Sequence, residues 1–177
     1  MSEEKIKIAV VKDIDESPVF MEISNDDAGF EMITTLISET SNTSIIDVSQ
    51  FIRNTILMID NDMSINPGGY NFSLQIYPIF GTVAFFHLGL VKRDGEEISA
   101  VVDMPKDVQE QVKEFIINQK KMELENGTKE MVEKEVNLKG KDNFIRFIND
   151  AFMEDSGEEA YKEAKKKHSE EENEKQS

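Results

Sequence analysis

Asp60, Asp62, Ser64 and Asn66 stand two residues apart, the spacing of the first oxygen ligands in a calcium-binding loop. The match stops there. Ile65 occupies the sixth position, where glycine makes the sharp turn, and Asn71 the twelfth, where a bidentate Glu closes the site. A polar loop is the better reading, and no metal or other cofactor is expected. The chain has two histidines, His87 and His168, and no cysteine. Thiolate zinc sites, disulfides and cysteine nucleophiles are excluded, and a histidine-based zinc site lacks a third nitrogen. A Ser-His-Asp triad would have to use His87. That residue lies between Phe86 and Leu88 in a strand-like run, with no Gly-x-Ser-x-Gly elbow. Gly68-Gly69 lacks the Lys and Ser/Thr of a phosphate-binding loop. With 36 carboxylates in 177 residues, no pair stands out as an acid/base couple. No enzymatic activity is expected.

The carboxylates act instead as a field. The net charge is −16, and residues 1–104 carry 17 acidic against 6 basic side chains. Between Asp13 and Asp62 there are eleven acidic residues and one base, Arg53. Such a field repels nucleic acid and anionic lipid and speeds encounter with basic partners. Asp13, Asp15, Glu16, Asp26, Asp27, Asp60 and Asp62 are the candidate contacts of an acidic face. A second candidate site is the loop Pro67–Asn71. Here Asn66 and Asn71 could hydrogen-bond a small ligand, such as a signalling nucleotide, while Tyr70 and Phe72 stack on its base. The shortage of bases nearby weighs against a phosphate-bearing ligand.

These residues need elements to hold them. Residues 5–12 read as an Ile/Val strand and Val19–Ile23 as a second, joined as a hairpin through a Pro-containing loop. Asp26 and Asp27 are N-cap candidates for a helix whose apolar face is Phe30, Ile33, Leu36 and Ile37. Ile45, Ile46, Val48 and Phe51 read as a third strand and Ile56–Ile59 as a fourth, with Arg53-Asn54 at the tip between them. Phe72–Val91 reads as an edge or loop segment and then a strand Thr82–Leu88, in which Phe85 and Phe86 face opposite sides. Arg93-Asp94-Gly95-Glu96 marks a hairpin turn leading to Ile98–Val102.

Pro105 opens a helical region. Its first helix carries Val108, Val112, Phe115, Ile116 and then Gln119 or Met122 to Leu124, and stops at Gly127. A shorter helical piece follows, then one with Phe144, Phe147, Ile148 and Phe152 at helical spacing, suited to packing on the sheet or to a partner groove. From Glu154 the chain is almost wholly charged and is expected to be mobile or a solvent-exposed helix. The expected organisation is an α+β domain over 1–104, a helical segment over 105–153 packed on or beside it, and a charged tail over 154–177. The fold class is α+β, a mainly antiparallel sheet of five or six strands with one inserted helix. No long apolar run and no signal peptide are seen, so a cytoplasmic protein that binds neither membrane nor nucleic acid is expected.

The order of these features, with Asn66-Pro67, Asn71 and Phe80-Gly81-Thr82-Val83-Ala84, resembles a family of small domains carried by bacteriophages and mobile elements. The resemblance covers about residues 5–117. Family members often carry a basic residue after the loop Asn, where this chain has Phe72. The resemblance implies context rather than chemistry: an inhibitor of a host enzyme or of a host defence protein, acting in the bacterial cytoplasm. The leading expectation is a non-enzymatic acidic protein that binds such a partner through the partner's basic surface.

Overall fold

The computed structural model describes residues 4–74 and 77–152. The charged tail expected from Glu154, with Tyr161 and His168, lies outside the described residues. In chain order the elements are β1 (Lys5–Val11), β2 (Val19–Ser24), α1 (Asp27–Ile37), β3 (Thr43–Asp47), β4 (Thr55–Asp60), β5 (Tyr70–Leu74), β6 (Tyr77–Phe80), β7 (Val83–Arg93), β8 (Glu96–Val102), α2 (Lys106–Asn126), α3 (Thr128–Lys139) and α4 (Lys141–Phe152). The fold is α+β. An antiparallel six-stranded sheet runs β2-β1-β7-β4-β3, with β8 also on β7, and β5-β6 forms a second, two-stranded sheet.

Period-two alternation in the central strands sorts the core into two layers. Ile6, Ile8 and Val10 of β1 join Met58 of β4, Ala84 and Phe86 of β7, and Ile33 and Ile37 of α1 on one face. Ala9 and Val11, Leu57 and Ile59, and Val83 and Phe85 point the other way, onto Val108, Val112, Phe115 and Ile116 of α2. Phe85 and Phe86 thus fill opposite faces, as their adjacency requires. A third cluster joins Tyr70 and Phe80 of the small sheet to Val132 of α3 and Phe144 of α4.

The β1-β2 hairpin pairs Lys5 with Ser24 through Val10 with Val19. Asp26 caps α1 by accepting from Gly29 N at 2.9 Å. Between β7 and β8 the turn residues Asp94 and Gly95 both have positive φ, 53° and 81°. That mirror-image turn matches the twist of the strands it joins.

Four details differ from the sequence reading. β3 ends at Asp47, because the Asp47 carboxylate accepts from Ser49 N at 2.9 Å and turns the chain out of the strand. Val48 and Phe51 therefore sit in the turn before β4, where Val48 and Ile52 are buried and Phe51 is 46% exposed. Leu36 is exposed, since Gly29 presses α1 so close to Ser24 that the buried stripe runs through Gly29, Ile33 and Ile37. The segment before β7 is not an irregular edge but β5 and β6, with Pro78 at a paired position opposite Ser73. On α2 the buried stripe continues through Gln119 and Glu123, leaving Met122 and Leu124 outside.

Candidate functional site

Both β1 and β4 run antiparallel to β7. They are therefore parallel to each other, and the loops that follow them leave the same end of the sheet. α1 begins after β2 at the far end and returns to this one, so its loop to β3 arrives here too. Asp13, Asp15, Glu16, Glu39 and Asp62 all lie on these three loops. Asp13 accepts from the backbone of Asp15 at 2.8 Å, and Asp62 accepts from Thr40 Oγ1 at 2.6 Å and Asn42 Nδ2 at 3.2 Å. Asp15 faces Lys129 at 3.1 Å and Lys120 at 3.6 Å. The hydrogen bond from Lys129 holds its carboxyl below the usual carboxylate range and raises Lys129 in turn.

The single acidic face expected from the sequence does not form. Asp26 and Asp27 start α1, at the opposite end of the β1-β2 hairpin, about 20 Å away for a six-residue strand. Asp26 is committed to the cap, and the Gly29 N–H holds its carboxyl below the usual range. Asp60 is 3% exposed, and both its oxygens are used inside the chain. Oδ1 accepts from Asp62 N at 2.9 Å and Oδ2 from Asn66 Nδ2 at 2.8 Å. Asp60 braces a turn and is not a partner contact. The two-residue spacing that resembles a calcium loop is the spacing of this brace.

The expected ligand site is also corrected. Asn66 accepts from Gly68 N at 2.6 Å while holding Asp60, so both ends of its amide are spent. Gly81 lies beneath this loop with φ of 85°, and a Cβ there would meet Asn66 Nδ2 at 2.5 Å. Phe72 is fully buried, its ring 6.0 Å from that of Phe115, so it has no face to offer a base. Tyr70 is buried as well, edge-on to Phe80 at 5.8 Å. A bulge between Tyr70 and Phe72 shifts the β5 register. It lets consecutive side chains all turn inward, which a regular strand forbids.

What these residues build is a buried polar cluster. The Tyr70 hydroxyl lies 2.6 Å from Ser73 Oγ and donates to Glu123 Oε1 at 2.9 Å; Ser73 N also donates to that oxygen, at 3.2 Å. Burial pushes the Tyr70 hydroxyl well above the usual phenol range, and Glu123 pushes the same way. Asn71 is 1% exposed and donates through Nδ2 to the carbonyls of Gly81 at 2.9 Å and Val11 at 3.3 Å. A cavity of about 100 Å³ lies against this cluster, lined by Tyr70, Asn71 and Glu123, with Asp15, Lys120 and Lys129 also on its wall. Glu123, Lys120 and Lys129 were not singled out from the sequence. The signal was present: Gln119 and Glu123 fall on the apolar stripe of α2, where two polar residues one turn apart need buried partners.

A larger groove of about 570 Å³ opens between α3, α4 and β6. Phe144 is buried on this groove, while Phe147, suited from its spacing to packing on the sheet or to a partner groove, is 54% exposed with Lys139 Nζ 4.1 Å above its ring. Lys141, at the head of α4, donates to the carbonyls of Asn66 and Gly68 and sits 4.8 Å over the Phe80 ring. His87 is buried in β7, where burial lowers its pKa. Among the described residues no group of three or more His, Cys, Asp or Glu is placed to hold a metal, and no helix is long and apolar enough to cross a membrane. No protein-family model, curated protein or solved structure matches the chain.

Proposed function

We propose that the protein is a non-enzymatic interaction protein that docks a basic protein partner on the acidic end of its sheet. The observation that carries this reading is the convergence of Asp13, Glu16, Glu39 and Asp62 on three neighbouring loops, beside Asp15, whose own charge is met by Lys120 and Lys129. Charge gathered at one end steers encounter and sets orientation. The finer part of the proposal follows the resemblance drawn on Asn66-Pro67, Asn71 and Phe80–Ala84: the partner is a host or defence protein that binding inhibits.

The test is capture from bacterial lysate on the full chain at about 0.05 M and 0.5 M salt, where screening differs several-fold. An enriched basic protein should be retained at low salt and released at high salt. The purified partner should then bind the immobilised chain with the same salt dependence. Binding that is indifferent to salt would remove the acidic end from the interaction.

A further inference from the structure

At one edge of the main sheet no described strand lies beyond β3. The direction of its free main-chain groups follows from two hydrogen bonds at its ends. Asn61 N donates to Asn42 O at 2.9 Å and Val48 N to Thr55 O at 3.1 Å, so the even-numbered residues turn their main chain toward β4. Thr43, Ile45 and Asp47 then turn their N–H and C=O groups outward, because the two sides alternate along a strand. These groups have no hydrogen-bond partner among the described residues. Every residue from Ser41 to Asp47 is exposed or half-buried, so the edge is open.

Sheet edges are usually blunted by proline, charge or a bulge. β2, at the other edge, follows Pro18 and carries Glu22 within the strand. β3 reads Thr-Ser-Ile-Ile-Asp, with charge only at its last residue, and pairs with β4 without a register shift. Ile45 lies on the same face as its partner Met58 and is 51% exposed. A further strand would cover it.

The charge around the edge selects what can pair there. Residues 24–52 hold five acids, Asp26, Asp27, Glu31, Glu39 and Asp47, and no base. Asp47 ends β3, and Asp62, which accepts from Asn42 Nδ2, stands at its start. A second copy would bring the same acids against these, so charge opposes self-pairing. A basic strand is drawn to both ends.

We propose that β3 accepts an extended segment of a basic protein partner by antiparallel strand addition. A β-branched side chain would lie opposite Ile45 and a Lys or Arg opposite Asp47, with further basic residues running past Thr43 toward Glu39 and Asp62. The partner's charge rests on the docking reading above; the open main-chain edge does not.

The test uses the ¹⁵N-labelled full chain and an end-capped peptide, Arg-Thr-Val-Thr-Thr-Lys-Lys. One analogue is N-methylated at Val and the third Thr, whose N–H groups face β3 in this register. The other is N-methylated at the first and second Thr, whose N–H groups face away. In the free chain the amides of Thr43, Ile45 and Asp47 should exchange faster than those of Ser44 and Ile46. The peptide and the outward-methylated analogue should slow them saturably. The inward-methylated analogue should bind at least roughly tenfold more weakly. Ile45→Pro removes an N–H that no ladder bond uses and should weaken peptide binding by a similar factor. Ile45→Lys places a charge on the edge and should do the same, which decides the matter should the proline disturb the strand.

Equal binding by both analogues, with shifts confined to the loops of Asp13, Glu39 and Asp62, would overturn strand addition and leave the acidic docking standing. Slowed exchange along β3 that is indifferent to salt would support strand addition and remove the acidic docking. Slow exchange at Thr43, Ile45 and Asp47 in the free chain would overturn the proposal. It would name a second copy as the occupant if it grows with protein concentration, and a segment of this chain if it does not. No slowing with the peptide, or unchanged affinity in either Ile45 variant, would overturn it as well.

Discussion

Glu123 shows how much a single side chain can organise. It reaches from α2 into the seam with β5, where its Oε1 collects the Tyr70 hydroxyl and the Ser73 amide. Tyr70→Phe deletes the hydroxyl without changing the ring. Leaving a buried carboxylate oxygen short of a donor costs about 1–3 kcal/mol, and urea unfolding should show a loss in that range with an unchanged slope. Phe72→Ala should cost more, about 3–5 kcal/mol, because the ring is fully enclosed and touches Phe115 edge-on. If Phe72 instead faced solvent, the same substitution would fall within about 0.5 kcal/mol. His87 gives a pH dependence. Burial, helped by Arg53, lowers its pKa in the folded state, so the unfolded chain binds the extra proton. The stabilising effect of a neutral His87 is complete above the ordinary histidine value of about 6.5 and is lost as pH falls from there through the lowered folded value. In His87→Gln, stability measured across pH 5–7 should lose that part of its slope. Aromatics clustered around a Pro-Gly-Gly loop read from sequence as a place to stack a ligand. The bulge that turns Tyr70, Asn71 and Phe72 inward leaves no mark in composition, so the loop was visible and its inside was not.

Elements were legible where one local force decides them. The β1-β2 hairpin, the capped α1, the Asp94-Gly95 turn and the start of the α2 stripe each follow from periodicity or a single dihedral demand. β5 and β6 were not, since four- and five-residue strands carrying Asn71 and Pro78 have little propensity of their own. They exist because α2, α3 and α4 cover them, and that support is non-local. The attachment of α4 depends on such a contact. Lys141 sits part-buried with its ammonium on the Asn66 and Gly68 carbonyls, and burial lowers its pKa. Lys141→Met keeps the length of the side chain but cannot donate. Amide hydrogen exchange should then speed up along α4 and in residues 66–69, while α2, held by Val108, Val112 and Phe115, keeps its protection. Equal acceleration in α2 would mean that α4 is not separately tethered by this lysine.

At the scale of the whole molecule, net charge and charge placement can be told apart. The −16 total follows from composition alone, but the strand directions put Asp13 and Glu16 at one end of the sheet and Asp26 and Asp27 at the other. Two double variants exploit this. Asp13→Asn with Glu16→Gln, and Asp26→Asn with Asp27→Asn, each remove two negative charges, and Asn is itself a good helix cap. If only the overall field attracts a basic partner, both should slow association equally. If the partner docks where the loops after β1 and β4 converge, the first pair should slow association about three- to tenfold at low salt and the second far less, the difference vanishing as screening grows. Stopped-flow association rates at several ionic strengths measure this directly. A larger effect from the Asp26 and Asp27 pair would move the docking surface to the opposite end, beside the start of α1.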